Sequence, residues 1–215
     1  MGGAGRNRTT ADYRKVPPLS AMTVGIAETA TIRDRIVVAA TEVTTTQGWS
    51  SVTMSRLADA VGVSRQTVYN EIGTKTALAE AMILGELARF LERVDGAFLA
   101  HPEDIFTAIR AAVTGVLDLA EGNALIKAIV SATHGADTEL LPLLTTHSGT
   151  LMETAKLVIG EHLAAFALDL EDWQLDGVID AIVRVVLSHV MQPSGNAEAV
   201  ADTITWIASR VLGSV

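Results

Sequence analysis

The stretch Thr53 to Lys75, TMSRLADAVGVSRQTVYNEIGTK, decides the reading of the N-terminal third. Thr53, Ser64 and Thr74 are good N-cap residues, each offering a side-chain oxygen to the free N–H groups of the turn that follows. The spacing predicts short helices over 54–61 and 65–72, joined by Gly62-Val63-Ser64, and a long helix from residue 75. Two short helices around a tight glycine-containing turn form a helix-turn-helix. Each start also carries a base within three residues: Arg56, Arg65 and Lys75. A cation in the positive field of a helix N-terminus is misplaced by about 0.3–1 kcal/mol unless an anion lies nearby. Further along the chain the helix starts are acidic instead, at His101-Pro102-Glu103-Asp104, Asp137-Thr138-Glu139 and Glu171-Asp172. That contrast points to phosphates at the first site.

In a helix-turn-helix the second helix enters the major groove with its N-terminal residues toward base edges. Those residues are Arg65, Gln66 and Thr67, with Asn70 one turn on. Gln and Asn can bond adenine, Arg can bond guanine, and the Thr methyl suits thymine. Thr53, Ser64, Tyr69 and Lys75 are candidates for phosphate contacts, since backbone N–H groups near helix starts favour anions. The bland alternative makes Thr53 and Ser64 caps only and Tyr69 a packing residue. Leu57, Ala58, Val61, Val63, Val68 and Ile72 are expected to face inward.

Charge distribution agrees with this placement. The net charge of the 215 residues is −9, but residues 1–80 hold nine Lys/Arg and seven Asp/Glu, against seven and eighteen in residues 81–215. The first part is thus +2 and the second −11, so contact with nucleic acid is confined to the N-terminal third. Residues 1–30, with Arg6, Arg8, Arg14 and Lys15, lack a period and read as a mobile arm. From Thr31, Ile32, Ile36, Val37, Ala40 and Val43 recur at helical spacing until Gly48.

Long helical patterns then cover about 75–99, 103–120, 124–133, 140–166, 173–192 and 197–212, with breaks at Asp95-Gly96 or His101-Pro102, Glu121-Gly122, His134-Gly135, Leu168 to Asp172, and Pro193-Ser194-Gly195. No alternating pattern of a β-strand interrupts them, so the fold class is all-α. The 49% hydrophobic content is enough for a sizeable core, while no apolar run suits a membrane span and the first residues lack a secretory h-region. A cytoplasmic location with no membrane partner is expected. The chain has no cysteine, which excludes disulfides and thiolate metal sites. Its five histidines show no i, i+3 or i+4 pairing, and no metal site is expected. GxSxG, GxGxxG, HExxH and Walker motifs are absent, so neither catalytic residues nor a cofactor are expected.

Gly48-Trp49, Val52-Thr53-Met54, Leu57-Ala58, Val61-Gly62-Val63-Ser64, Thr67-Val68-Tyr69 and Lys75 with Leu78 resemble the N-terminal domain of the TetR family of bacterial transcriptional regulators over about 31–80. Departures are Ile72 and Gly73, where the family usually has an aromatic and often a proline, and Gln66, where a small residue is common. Ile72 keeps an apolar anchor; Gln66 bears on base preference. The string Arg65 to Leu78, RQTVYNEIGTKTAL, also resembles actinobacterial members linked to alkane or fatty-acid metabolism, although a recognition helix reports operator sequence rather than ligand.

The resemblance implies a DNA-binding domain over 31–80 and a ligand-binding and dimerisation domain over 81–215. The last two helical patterns carry wide apolar stripes: Val178, Ile179, Ile182, Val185, Val186, His189 and Val190, then Val200, Ile204, Ile207 and Val211. A four-helix interface of a homodimer would use them, with intramolecular burial as the alternative. Candidate pocket residues in the helices before them are Phe90, Phe106, Val130, His134, Leu144, His147, Thr150, Leu151 and Met152. The expected function is a repressor released from double-stranded operator DNA by a small hydrophobic effector. An all-α lipid carrier or enzyme and a ligand-independent DNA-organising protein stay open.

Overall fold

The computed structural model of the chain describes residues 30–132 and 148–213, so the N-terminal arm and the candidates His134, Leu144 and His147 lie outside the described residues, as does the side chain of Thr150. Among the described residues the regular structure is helical throughout: α1 (Ile32–Gln47), α2 (Met54–Val61), α3 (Arg65–Ile72), α4 (Lys75–Ala100), α5 (Ile105–Gly122), α6 (Ala124–Ala132), α7 (Ser148–Leu163), α8 (Asp172–Met191) and α9 (Ala197–Leu212), with a 3-10 turn at Trp49–Ser51.

Local chemistry sets most of these boundaries. Thr31 and Asp34 form a capping box at the start of α1, the Thr31 hydroxyl accepting from Asp34 N at 3.1 Å and the carboxylate accepting from Thr31 N at 3.0 Å. The Thr31 hydroxyl also donates to Asp34 Oδ2 at 2.7 Å, and this bond first, then that from Thr31 N, holds the Asp34 carboxyl below its ordinary value. Asp104 caps α5 by accepting from Phe106 N and Thr107 N, and Asn196 caps α9. The α4 helix does not break at Gly96. It runs on to Ala100 because Val94, Ala97 and Phe98 are buried, which outweighs the cost of about 1 kcal/mol for an interior glycine. By contrast α7 stops at Leu163, short of the expected residue 166, and the segment after it packs Phe166, Leu168 and Leu170 onto the core.

Two apolar clusters organise the packing. The first gathers Ile36, Ala40 and Val43 of α1, Trp49, Leu57, Val68 and Ile72. It also takes Leu78, Ala79 and Met82 from α4, and Leu125 and Ile129 from α6. The second joins the far end of α4 to α5, α7, α8 and α9 through residues such as Leu91, Phe98, Ala108, Ile109, Val158, Ile179 and Ile204. With 26 residues, α4 is about 39 Å long and reaches from one cluster to the other. An exposed ion pair ties α5 to α9 (Arg110 Nε to Asp202 Oδ1, 2.6 Å), and Lys156 of α7 lies 2.8 Å from Asp176 of α8. Asp95 of α4 meets His162 of α7 at 2.5 Å, and the imidazole stacks on Phe98 with ring centres 4.9 Å apart.

Candidate nucleic-acid interface and apolar cavity

The α2–α3 unit is built on local bonds. Thr53 accepts from Arg56 N at 3.2 Å, Ser64 from Thr67 N at 3.0 Å, and Thr74 from Ala77 N at 3.0 Å, so each predicted cap is formed. Gly62 ends α2 with φ +74° and ψ 38°, and its N–H and that of Val63 both donate to Ala58 O. That left-handed conformation reverses the chain between the helices, and glycine adopts it without the Cβ penalty of other residues. Leu57, Ala58, Val61, Val68 and Ile72 are buried, whereas Val63 is only half-buried at the turn.

This packing leaves one face of α3 in solvent. Arg65, Gln66 and Asn70 are exposed, and Thr67 is half-buried with its hydroxyl 2.8 Å from that of Ser64. Gln66 Nε2 donates to Asn70 Oδ1 at 3.0 Å; Arg65 Nη2 donates to Tyr69 Oη at 3.2 Å. Tyr69 is exposed, not a packing residue. Lys75 is half-buried, with its ammonium 4.7 Å from the centre of the buried Trp49 ring. Thr53 and Ser64 stay exposed while serving as caps.

Two residues escape the sequence reading. Arg33 Nη1 donates to Glu71 O, and Arg35 Nη2 donates to Val61 O, both at 2.6 Å. Each guanidinium from the start of α1 thus sits against a carbonyl in the last turn of α3 or α2, where the helix dipole favours a cation. A base in a first turn is therefore not by itself a sign of phosphate: Arg33 and Arg35 are misplaced on α1 and well placed for its neighbours. The available signal was their i, i+2 spacing in that first turn.

The second feature is a cavity of about 680 Å³ bounded by α4, α5, α6, α7 and α8, and its lining is mostly apolar. Phe90, Leu151 and Met152 line it. Phe106 and Val130 do not: Phe106 packs on the core near Gly213, and Val130 is half-buried elsewhere on α6. Periodicity marks such residues as apolar-facing without saying which neighbour they face. A larger and more open groove, about 910 Å³, runs between α1, α4 and α5.

The same ambiguity bears on the interface candidates of α8 and α9. Ile204 is buried inside the protomer, and Val178, Ile182 and Val186 are half-buried and line the cavity. His189 is half-buried, with Nδ1 2.9 Å from Ser194 Oγ. Val185, Ile207 and Val211 remain exposed, and Leu187, Trp173 and Trp206 add apolar surface that the stripes did not single out. The described residues contain no cluster of three metal-ligating side chains and no helix long and apolar enough to cross a membrane.

Residues 36–82 match the bacterial regulatory proteins of the tetR family, and residues 104–210 match the bacterial tetracyclin repressor C-terminal domain. The chain belongs to the TetR family. As a member of the TetR family it is a DNA-binding transcriptional regulator, and α2 and α3 are its helix-turn-helix. It is 28% identical over 199 residues to the HTH-type transcriptional regulator AlkX of Mycobacterium tuberculosis, an alignment covering 91% of this chain and 93% of that one. A crystal structure of the TetR family repressor AlkX from Dietzia sp., implicated in biodegradation of n-alkanes, superposes with a TM-score of 0.69 at 29% identity over 86% of this chain and 97% of that chain. The fatty acid degradation regulator FadR of Bacillus halodurans shares the fold, with a TM-score of 0.52 at 18% identity over 85% of this chain and 98% of that chain.

Proposed function

We propose that this TetR-family protein is a homodimeric repressor that leaves its operator when a small hydrophobic molecule enters the cavity among α4–α8. The observation that carries the effector reading is the cavity itself, about 680 Å³ and mostly apolar, the kind of site that takes a small molecule with few fixed hydrogen bonds. Both AlkX proteins are regulators, and the one from Dietzia is implicated in n-alkane biodegradation, which favours an apolar chain as effector.

In this reading residues 31–80 form the DNA-binding domain and residues from 81 the effector and dimer domain, with α4 shared between them. Arg65, Gln66, Thr67 and Asn70 read bases; Thr53, Ser64, Tyr69 and Lys75 hold phosphates. The dimer forms through Val185, Ile207 and Val211 together with Trp206, all exposed on α8 and α9. It places two recognition helices about 34–36 Å apart, one helical turn of DNA. An effector that prefers a state with another spacing lowers operator affinity by its differential affinity for the two states. The protein works by binding, not by catalysis.

The test is fluorescence anisotropy on DNA from upstream of its own gene. Wild-type protein should bind with a steep salt dependence and be released by medium-chain apolar compounds. Ala112→Phe, which fills the cavity from α5, should keep DNA binding and lose the release. Release that persists in the filled variant would sink the cavity as effector site.

A further inference from the structure

Among the described residues the buried polar or charged side chains are Thr44, Glu86 and Asn123, and only Glu86 is ionisable. Thr44 is satisfied within α1, donating to Ala40 O. Glu86 of α4 lines both the cavity and the outer groove. Asn123 Nδ2 donates to Glu86 Oε2, while Asn123 Oδ1 accepts from Ile126 N at 3.0 Å and so caps α6. Arg89 Nη1 lies 3.2 Å from Glu86 Oε1 and 3.3 Å from Oε2, but the Arg89 side chain is 58% exposed and lines only the groove. A carboxylate offers about four acceptor positions. These contacts leave capacity for another donor and none for an acceptor.

The other charged residues lining the cavity belong to its rim. Glu153 is largely exposed. Arg184 is exposed too, and Asp180 holds its guanidinium through two bonds of 2.6 and 3.3 Å. Around Glu86 the lining is apolar, with Leu87, Phe90, Ile126 and Ile129 close in sequence to the pair. A second carboxylate brought into this low-dielectric space would repel the first, since like charges sharing a site disfavour ionisation of one of them.

We propose that Glu86 is the polar contact of the cavity and selects effectors that carry an apolar chain ending in an uncharged hydrogen-bond donor, such as a primary alcohol, over chains ending in a carboxylate. This rests on the cavity being the effector site. The same carboxylate accepts from Asn123, the cap of α6, whose Leu125 and Ile129 sit in the N-terminal core, so a donor taking the remaining acceptor position of Glu86 binds one side chain away from the start of a helix that contacts the DNA-binding half.

The test is calorimetric titration of the full-length protein with decanol, decanoate and decane at a mildly alkaline pH. Decanol should bind about tenfold more tightly than decanoate, the equivalent of one pKa unit of charge repulsion. Glu86→Gln keeps the shape and the acceptor for Asn123, removes the charge, and should close that gap. Arg184→Gln, a second variant at the rim, should leave the preference for decanol as it is. Equal binding of decanoate and decanol by the wild type, an unchanged gap in Glu86→Gln, or loss of decanoate binding in Arg184→Gln would each overturn the role of Glu86 while leaving the cavity as effector site. Binding of none of the three compounds would overturn both.

Discussion

Replacing Gln66 and Asn70 by alanine, singly and together, separates base reading from mere support of the recognition helix. In the free protein the two amides share one exposed i, i+4 hydrogen bond of 3.0 Å, and such a pair contributes only about 0.2–0.5 kcal/mol to a helix. Either change should therefore leave the unfolding midpoint nearly unmoved. On the operator the stakes are larger, because a good bidentate contact discriminates by about 1–3 kcal/mol against the wrong base. Each single variant should lose about that much on the operator, roughly 5- to 150-fold in Kd, and stop discriminating at one base pair. Lys75→Ala should behave differently, weakening all sequences alike and flattening the slope of log K against log salt by about 0.9. Its ammonium also rests over Trp49, so a loss of up to about 1 kcal/mol in stability accompanies it. The assay is fluorescence anisotropy over a set of operators substituted one base pair at a time, repeated at several salt concentrations. Equal losses from all three variants on operator and random DNA would refute the division into base-reading and phosphate-holding residues.

Ile207→Glu with Val211→Glu should convert a dimer to a monomer by light scattering, with unchanged helicity and operator binding lost; a dimer that survives both changes would move the interface elsewhere. Gly62→Ala should cost about 1–2 kcal/mol in urea unfolding, since the added Cβ meets nothing within 4 Å and the cost is that of the left-handed backbone alone; a neutral result would contradict the assigned turn. The Asp104 carboxyl is held below its ordinary 3.8 by the Thr107 hydroxyl first, then by the backbone N–H groups of Thr107 and Phe106. A folded-state value below the unfolded one means its stabilisation is complete above about 4 and fades as the pH falls through the depressed value. Asp104→Asn should accordingly flatten the acid side of the stability profile, read by thermal melts.

Much of the fold was legible because the signals are local. The bounds of α2, α3 and α9 follow the expected ranges, since caps at Thr53, Ser64 and Asn196 and glycines at 62, 73 and 213 act within one turn. The exposed face of α3 followed from the burial of Val68 and Ile72 at helical spacing. Where the sequence reading fell short, the deciding partner lay far along the chain. Of the two breaks open for α4, Asp95-Gly96 and His101-Pro102, the burial of Val94, Ala97 and Phe98 decides for the second. Arg33 and Arg35 find carbonyls 38 and 26 residues away.

Sequence alone determined that the chain is helical, that it carries a helix-turn-helix, and which residues of α3 face solvent, because 3.6-residue periodicity and capping are properties of neighbouring residues. Only tertiary structure decided what each apolar stripe faces. On α8, Val178, Ile182 and Val186 turn to the cavity while Val185 stays in solvent, and on α9 Ile204 is buried while Ile207 is not. It also decided that Glu86, one acidic residue among many in the sequence, is buried beside Asn123. A stripe fixes the direction of a side chain about its own helix axis, and the crossing of helices distant in sequence determines whether protein, cavity or solvent lies in that direction.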